Sequence, residues 1–185
     1  MPSLTFRELN YALGRFPDSN IKFSTFVESG TYHGKTITNM EPFFDKLHTI
    51  EIGEPLYNEN VDKYKGDKIT FHLGDTAKIL KGFVHTLSNT VFFLDGHWSA
   101  GDTFMGDKEV PLYDELKTIM QKFKHSAVII IDDYRLFGTV GNQFDWKNIT
   151  LDSVIEIVQS RMYDQYLMAS EICQNDRLVI NLKPL

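Results

Sequence analysis

The chain contains a single cysteine, Cys173, and no run of 18 apolar residues among its 185 positions. One cysteine excludes an intramolecular disulfide, and no Cys/His spacing typical of a structural zinc site is present. The missing apolar run argues against a membrane-spanning helix. Arg7 and Glu8 stand where a secretion signal needs its apolar stretch. We therefore expect a cytoplasmic protein that is neither secreted nor inserted in a membrane.

Positive charge is also scarce. Lysine and arginine total 19 against 25 aspartate and glutamate residues, which gives a formal net charge of −6. Because this balance provides no positive field to hold a phosphate backbone, we expect no nucleic-acid partner. Hydrophobic residues make up 42% of the chain, an ordinary globular content. We expect one domain over residues 1–185, with residues 1–20 as a cap segment and residues 21–185 as the core.

Short apolar runs alternate with amphipathic stretches, a pattern typical of parallel strands connected by helices. Two of the runs are apolar throughout, as expected for strands with helices on both faces. Two β-prone runs at the end predict an antiparallel hairpin, so the fold class is α/β with a mostly parallel sheet. The predicted strands are Phe23–Val27, Thr49–Ile52, Lys68–Leu73, Thr90–Leu94, Ala127–Ile131, Arg161–Ala169 and Arg177–Leu182. The predicted helices are Thr36–Leu47, Pro55–Tyr64, Thr76–Leu87, Pro111–Phe123, Leu151–Ser160 and a cap helix with Leu9, Ala12, Leu13 and Phe16 on one face.

A glycine-containing turn leads from the first strand into a helix, which allows a ligand to approach backbone N–H groups closely. Gly30 and Gly34 do not complete the dinucleotide pattern GxGxxG, so that pattern is excluded. The P-loop pattern G-x4-G-K-[ST] fits except that Ser29 replaces its first glycine. A phosphotransferase that uses Lys35 and Thr36 on phosphates therefore stays open as an alternative.

Acidic residues after the next two strands favour a different loop chemistry. Glu51 lies near the end of the second strand, where a carboxylate can accept hydrogen bonds from both ribose hydroxyls of a nucleoside. Together with Glu28-x-Gly30-x3-Gly34 and Gly74-Asp75, this arrangement resembles the class I S-adenosylmethionine-dependent methyltransferases from about residue 21 onward. The resemblance implies a Rossmann-like fold with a seven-stranded sheet, S-adenosyl-L-methionine as the cofactor, and adenine facing Asp75. The cofactor-binding residues it implies are Glu28, Ser29, Gly30, Thr31, Tyr32, Gly34, Thr36, Glu51, Gly74, Asp75, Thr76 and Asp95.

Three aspartates follow the fourth and fifth strands, where they can converge on one hard cation. Asp95-Gly96-His97 and Asp132-Asp133-Tyr134 resemble the metal-binding segments of sugar O-methyltransferases of the macrocin and aminocoumarin type. The resemblance implies Mg²⁺ bound by Asp95, Asp132 and Asp133, with Asp95 also catalytic. His97 replaces the acid that would be the family's base, and a histidine suits proton removal near neutral pH.

These expectations combine into a metal-dependent O-methyltransferase acting on a hydroxyl of a small molecule or sugar. A protein that binds S-adenosylmethionine without transferring its methyl, as a partner subunit, stays open, and so does a homo-oligomer. Arg135 is expected either to bind an anionic acceptor group or to pair with a neighbouring aspartate. The polar segment Ser99–Lys108 is expected to be either an acceptor lid or a plain surface loop.

Overall fold

The computed structural model describes residues 3–97, 104, 106–140 and 146–185. One seven-stranded sheet has the order β3-β2-β1-β4-β5-β7-β6. The first five strands are parallel, and β7 is antiparallel to both β5 and β6. The α/β fold class and the terminal hairpin are thus confirmed. The strands are β1 Thr25–Ser29, β2 Lys46–Glu51, β3 Ile69–Leu73, β4 Thr90–Leu94, β5 Ala127–Ile131, β6 Met162–Met168 and β7 Arg177–Leu182.

Helices cover both faces of this sheet. They are α1 Phe6–Gly14, α2 Lys35–Met40, α3 Glu54–Lys63, α4 Thr76–Phe83, α5 Leu112–Lys122 and α6 Leu151–Val158. Alternate residues of each central strand enter different core layers, as the two-residue period of a strand requires. Phe92 and Leu94 pack in the layer formed by α4, α5 and α6, whereas Val91 and Phe93 pack in the layer formed by α1 and α2. Two-sided burial therefore explains the strands that are apolar throughout.

The helix predicted over Thr36–Leu47 is wrong in its second half. α2 ends at Met40, a 3₁₀ turn follows over Glu41–Phe43, and β2 begins at Lys46. Pro42 lies in that turn, and its missing N–H cannot support a further helical turn. The apolar Leu47 is instead a strand residue paired with Phe26.

The cap helix α1 packs on the sheet through its predicted apolar face. Its start is fixed by a capping box, in which Glu8 N–H donates to the Thr5 hydroxyl at 3.3 Å and Thr5 N–H donates to Glu8 at 2.7 Å. Just before the helix, Leu4 N–H donates to the Thr36 hydroxyl at 3.2 Å, which ties the cap to the start of α2. Over the described ranges, no helix combines the length and the hydropathy that crossing a membrane requires.

Candidate functional site

The sheet reverses its winding direction at β1, which has β2 on one side and β4 on the other. In open parallel sheets, ligands bind in the crevice beyond the carboxyl ends of the strands at such a point. Ser29 pairs with Ile50 of β2 and with Leu94 of β4, so these three strands end at the same level. The residues that follow them therefore face one another across the crevice.

Gly30 brings the loop after β1 into direct contact with the loop after β4. Its φ of +80° lies in the left-handed region, and a Cβ atom there would lie 2.6 Å from the carbonyl oxygen of Asp95. Both the backbone angle and the contact require glycine. Gly34, with a φ of +73°, begins α2, and a Cβ atom there would lie 2.2 Å from Oδ1 of Asn60. Gly34 therefore shapes the turn.

Two adjoining clefts open at this crevice, and Gly30, Tyr32 and Asp95 line both of them. The first, which we call the Glu51 cleft, encloses about 410 Å³ including its opening. The Glu28 cleft encloses about 530 Å³ including its opening. Other residues of the Glu51 cleft are Ile50, Glu51, Ile52, Leu56, Thr76, Gly96, His97 and Phe104. Other residues of the Glu28 cleft are Ser3, Glu28, Thr31, His33, Lys35 and Thr36.

Glu51 is buried and held by backbone donors. Its Oε2 accepts from Tyr32 N–H and its Oε1 accepts from Gly53 N–H, both at 2.8 Å. Burial raises the pKa of Glu51, and the hydrogen bonds from Gly53 and then Tyr32 oppose this rise. Because each carboxylate oxygen has two lone pairs, both oxygens can still accept a hydroxyl proton from a ligand.

Glu28 is only 1% exposed, and its Oε2 accepts from the Thr49 hydroxyl at 2.7 Å. The Thr31 hydroxyl lies 2.6 Å from that of Thr49 and extends the chain of hydrogen bonds. Burial raises the pKa of Glu28 to about 8, and the hydrogen bond from Thr49 only partly opposes the rise. At neutral pH the Glu28 side chain is therefore mostly protonated, and it lines its cleft as an uncharged hydrogen-bonding group.

Besides Gly34, three predicted cofactor residues shape the site from outside the two clefts. Ser29 accepts a hydrogen bond from Asp95 N–H at 3.2 Å through its hydroxyl. Gly74, with a φ of +140°, ends β3. Asp75 caps α4 by accepting from Ala77 N–H at 3.0 Å, and its second oxygen accepts from Asp107 N–H at 3.3 Å. The structure thus engages both oxygens of Asp75 within the protein, whereas the resemblance places this residue against the adenine.

The aspartates after β4 and β5 meet around His97. Nε2 of His97 lies 3.0 Å from Oδ2 of Asp133, and its Nδ1 lies 3.5 Å from Oδ1 of Asp95. Ligand atoms of these three residues all lie within 4.8 Å of one another. Asp133 has a φ of +59°, a left-handed conformation that aspartate tolerates better than most residues. We call this group the His97 cluster.

Asp132 lies outside the His97 cluster but forms a second group of acids with Asp133 and Asp176, whose ligand atoms also lie within 4.8 Å of one another, so the grouping differs from the predicted triad. Its Oδ1 accepts from Nε of the fully buried Arg177 at 3.0 Å, and Arg177 also pairs with Glu8 of α1 at 2.5 Å. Among the described residues, Oδ2 of Asp132 has no hydrogen-bond partner. The physical reason for the difference is that Arg177 of β7 binds one oxygen of this carboxylate on the side of the cap helix. Arg135 pairs with Asp133 and Asp176, which decides between its two predicted roles.

Burial and neighbouring charges raise the pKa values of Asp95 and Asp132, whereas the pKa of Asp133 is lowered. Burial and then the charges of Asp132 and Asp133 raise the pKa of Asp95 well above its usual range. Burial also raises the pKa of Asp132, against the opposing effect of Arg177. Burial alone would raise the pKa of Asp133, but the hydrogen bond and charge of His97, together with Arg135, lower it below the usual value. Of these three carboxyl groups, Asp133 alone has a lowered pKa.

A third space, the polar chamber, adjoins the Glu51 cleft and shares Gly96 and His97 with it. It encloses about 220 Å³ including its opening. Three side-chain atoms that line it are buried and have no hydrogen-bond partner within the described part of the chain, namely Oε1 of Glu115, Oδ2 of Asp132 and Nε1 of Trp146. Because unpartnered buried polar atoms are costly, the chamber is suited to a guest that both donates and accepts hydrogen bonds.

Solved structures share this arrangement of strands and helices. A Streptococcus mutans protein solved in complex with SAH has a TM-score of 0.61 at 14% identity, with 100% of both chains covered. An rRNA methylase from Streptococcus thermophilus has a TM-score of 0.58 at 13% identity, covering 95% of this chain and 93% of that chain. The N-methyltransferase NodS from Bradyrhizobium japonicum, in complex with S-adenosyl-L-homocysteine, has a TM-score of 0.56 at 13% identity, covering 97% and 88%.

The chain has the class I methyltransferase fold. This confirms the fold that the strand-end motifs imply. No family model matches the sequence, and none of the curated proteins matches it significantly. At these identities the similarity concerns the fold, so the role of each site residue depends on its own geometry.

Sequence reasoning missed several residues of the site. Phe104 and Leu56 line the Glu51 cleft, and Glu115, Trp146 and Arg177 surround the acids. A signal was present for Glu115, because a lone acid on the apolar face of a helix is unusual. Arg177 likewise begins a strand whose next three residues are apolar. Of the segment predicted as a lid or surface loop, Phe104 and residues 106–108 are described, and its other residues lie outside the described part of the chain.

Proposed function

We propose that the protein is an S-adenosylmethionine-dependent methyltransferase that acts on a hydroxyl of a small molecule or sugar. The observation that supports it most is the Glu51 cleft. It lies at the carboxyl ends of β1, β2 and β4 and combines the close backbone approach at Gly30, the acid Glu51 and the apolar Ile52 and Leu56. When bound, the cofactor supplies a methyl group on a positively charged sulfur.

The chain's own residues would bind and orient this cofactor. Glu51 would accept hydrogen bonds from the ribose hydroxyls through the lone pairs that its backbone donors leave free. Asp95 lies where the Glu51 and Glu28 clefts meet, at the junction between the two ends of an extended ligand. Fixing the ligand in this way contributes to catalysis because the transfer requires oxygen, methyl and sulfur in line.

The residues present fit a divalent metal ion. Asp95 has a buried oxygen that meets no hydrogen-bond partner in the ranges that the structure describes, and carboxylates are the ligands that Mg²⁺ prefers. Asp95 and Asp133 would hold the ion, and Oδ2 of Asp132 is a further candidate ligand. A His97 that binds the ion would not serve as the base, and its imidazole would suit Mn²⁺, Fe²⁺ or Zn²⁺ better than Mg²⁺. Such an ion would lower the pKa of an acceptor hydroxyl.

His97 is the candidate base. Both of its ring nitrogens face carboxylates, at 3.0 Å from Asp133 and 3.5 Å from Asp95. The longer contact is the weaker one, so Nδ1 is the nitrogen more readily turned toward an acceptor hydroxyl. Asp133 would then hold the ring in place through Nε2 while the proton is taken up.

The phosphotransferase alternative is not favoured because the loop uses its own N–H groups. Gly30 N–H donates to Ile50 at 3.0 Å, Tyr32 N–H donates to Glu51 at 2.8 Å and Gly34 N–H donates to Thr31 at 2.9 Å. A P-loop instead directs such groups at phosphates. The Thr36 hydroxyl accepts from Leu4 N–H.

Calorimetry with S-adenosylhomocysteine and with ATP tests the cofactor assignment. We expect the first to bind and Glu51→Gln to weaken it, because the neutral amide accepts ribose hydrogen bonds less strongly than a carboxylate. Glu54→Gln is the matched control, since Glu54 begins α3 close by but does not line the cleft. Binding of ATP that is abolished by Lys35→Ala would overturn the proposal.

Two measurements test transfer and the metal. Methyl transfer to a panel of sugars and small alcohols, with and without chelator, should fall on chelation. Titration with Mn²⁺ and Mg²⁺ should show binding that Asp133→Asn removes more completely than Asp132→Asn, because Asp132 already pairs with Arg177. Cofactor binding with no transfer to any acceptor would favour a non-catalytic partner subunit.

A further inference from the structure

Two histidines contact each other on the two strands at the β3 edge of the sheet. The register pairs His48 of β2 with Thr70 of β3, so His72, two residues further along β3, lies on the same face of the sheet as His48. Nδ1 of His48 and Nε2 of His72 are 3.1 Å apart. We call these two side chains the imidazole pair. Neither of them lines the Glu51 cleft, the Glu28 cleft or the polar chamber.

Phe83, at the end of α4, stacks on both rings of the imidazole pair. Its centroid lies 4.6 Å from that of His72 with the planes 1° apart, and 4.8 Å from that of His48 with the planes 27° apart. The two imidazoles are inclined by only 28° to each other. Stacking covers the faces of the rings, whereas the nitrogen lone pairs lie in the ring plane. Phe83 therefore orients both rings without covering the nitrogen atoms that face each other.

The distance between these two nitrogen atoms suits two ligands of one metal ion. Metal–nitrogen bonds of about 2.0–2.1 Å place two ligands roughly 2.9 Å apart at a right angle and roughly 3.3 Å apart at the tetrahedral angle. The 3.1 Å between Nδ1 of His48 and Nε2 of His72 lies between these values. In the metal-free protein one ring donates its N–H to the other. Metal binding requires that the donor ring change tautomer, so that its proton moves to its outer nitrogen.

Both rings of the imidazole pair are uncharged at neutral pH, which is the form that binds a metal. Burial lowers the pKa of His48 to about 4, and the neighbouring His72 and Lys46 add to this effect. Burial also lowers the pKa of His72. An ion therefore does not have to displace a proton from either histidine.

A polar groove gives access to the imidazole pair. It lies at the amino ends of β1, β2 and β3, reaches His48 and encloses about 1240 Å³ including its opening. Its charged side chains are two acids and two lysines, so their formal charges cancel and a cation is not repelled by the lining as a whole. These side chains are Asp45, Lys46, Asp67 and Lys68.

We propose that His48 and His72 form a metal site, separate from the His97 cluster, that binds a transition-metal ion such as Zn²⁺, Ni²⁺ or Cu²⁺. Imidazole suits these ions, whereas Mg²⁺ prefers oxygen ligands. Within the described ranges, no third His, Cys, Asp or Glu joins the pair with a ligand atom within 4.8 Å. Water fills the remaining positions, so the ion exchanges with solvent, unlike the ion of a four-ligand structural zinc site.

Calorimetric titrations with Zn²⁺ and with Mg²⁺ test this site. His48→Gln and His72→Gln should each weaken one Zn²⁺ site at least about tenfold, because a single imidazole loses the advantage of two linked ligands. Binding of Mg²⁺ should stay unchanged in both variants. His85→Gln is the matched control, since His85 is an exposed histidine in the 3₁₀ turn directly after Phe83 and should leave Zn²⁺ binding unaltered.

The variant Asp133→Asn separates this site from the His97 cluster. The loss of Zn²⁺ affinity caused by His48→Gln should be the same in this background as in the wild type. Electron paramagnetic resonance of bound Cu²⁺ in Asp133→Asn should show two coordinated imidazole nitrogens, and adding His48→Gln should leave one. Circular dichroism of the metal-free proteins checks that each variant is folded.

A wild-type protein that binds no Zn²⁺ beyond the amount that Asp133→Asn removes would overturn the inference. So would Zn²⁺ binding that both glutamine variants leave unchanged, or that His85→Gln weakens equally. The proposed function does not depend on these results, because the imidazole pair lies outside both clefts and the chamber.

Discussion

At the ends of β2 and β3, the carboxylates of the site accept from backbone N–H groups, whereas at the ends of β4 and β5 they face basic side chains. Glu51 and Asp75 each accept two backbone hydrogen bonds. Asp132 and Asp133 instead meet Arg177 and His97. Backbone donors satisfy a carboxylate without adding a charge. The first half is therefore suited to a neutral nucleoside and the second half to charge development.

The largest effect should come from removing a charged partner in the second half. Arg177→Met leaves Asp132 and Glu8 without their buried cation, and we expect a loss of about 3–5 kcal/mol in the free energy of unfolding. Urea unfolding measures it. Lys108→Met removes the exposed pair with Asp114 and should cost less than about 1 kcal/mol. Equal losses in the two variants would contradict a buried charge network; adding Asp132→Asn should recover part of the loss.

Gly30 lies between the two halves of the site, where the loops after β1 and β4 are in contact. Gly30→Ala should lower the free energy of unfolding by roughly 1–3 kcal/mol and weaken S-adenosylhomocysteine, because its Cβ meets Asp95 in a left-handed conformation. Gly82→Ala is the control. A Cβ atom on Gly82 of α4 would have no neighbour within 4 Å, so a gain of roughly 0.5–1 kcal/mol is expected. Thermal unfolding measures the change in stability, and calorimetry measures the change in binding. Unaltered binding in Gly30→Ala would contradict a contact between this loop and the ligand.

Glu28, in β1 between the two halves, makes the free energy of unfolding depend on pH. Its pKa is raised from 4.5 to about 8 by burial, so within this window the folded protein keeps a proton that the unfolded chain has released. Stability should therefore fall as pH rises through the window, by at most about 1.4 kcal/mol per pH unit. Glu28→Gln removes this contribution, so unfolding curves at several pH values should show the variant gaining on the wild type. A difference in the free energy of unfolding between Glu28→Gln and the wild type that does not change with pH would contradict a protonated Glu28.

The smallest effect should come from the polar chamber in the second half. A crystal structure at high resolution should show an ordered oxygen within hydrogen-bond distance of Glu115, Asp132 and Trp146. Trp146→Phe removes the donor and keeps an aromatic ring, so we expect loss of that oxygen and a stability change of about 1 kcal/mol or less. A chamber that stays dry in the wild type would contradict this reading of its unpartnered atoms.

Much of the fold followed from local pattern. The apolar runs of β4 and β5 were predicted with their observed bounds, because burial on both faces leaves an unmistakable sequence. The start of β2 was wrong because the apolar residues around Phe44 and Leu47 fit a helical period as well as a strand. In the structure Pro42 ends the helical region ahead of Phe44 and Leu47, so these residues do not continue the helix.

The candidate site was predicted where position along a strand decides it. Gly30 and Asp95 follow their strands and Glu51 ends its strand at the same edge, so their proximity follows from a parallel sheet. The partners of the acids could not be predicted in this way. Arg177 is 45 positions from Asp132 and reaches it only because β7 inserts beside β5.

The sequence by itself determined the α/β class, the glycine turn and the row of acids, since each depends on residues close together in the chain. Only the tertiary structure decided which acids share a site. In the folded chain Asp133 contacts His97 and Asp132 pairs with Arg177. Both oxygens of Asp75 accept backbone hydrogen bonds. The physical reason is that a buried carboxylate takes the nearest donor in space, and that donor is set by strand order and helix docking.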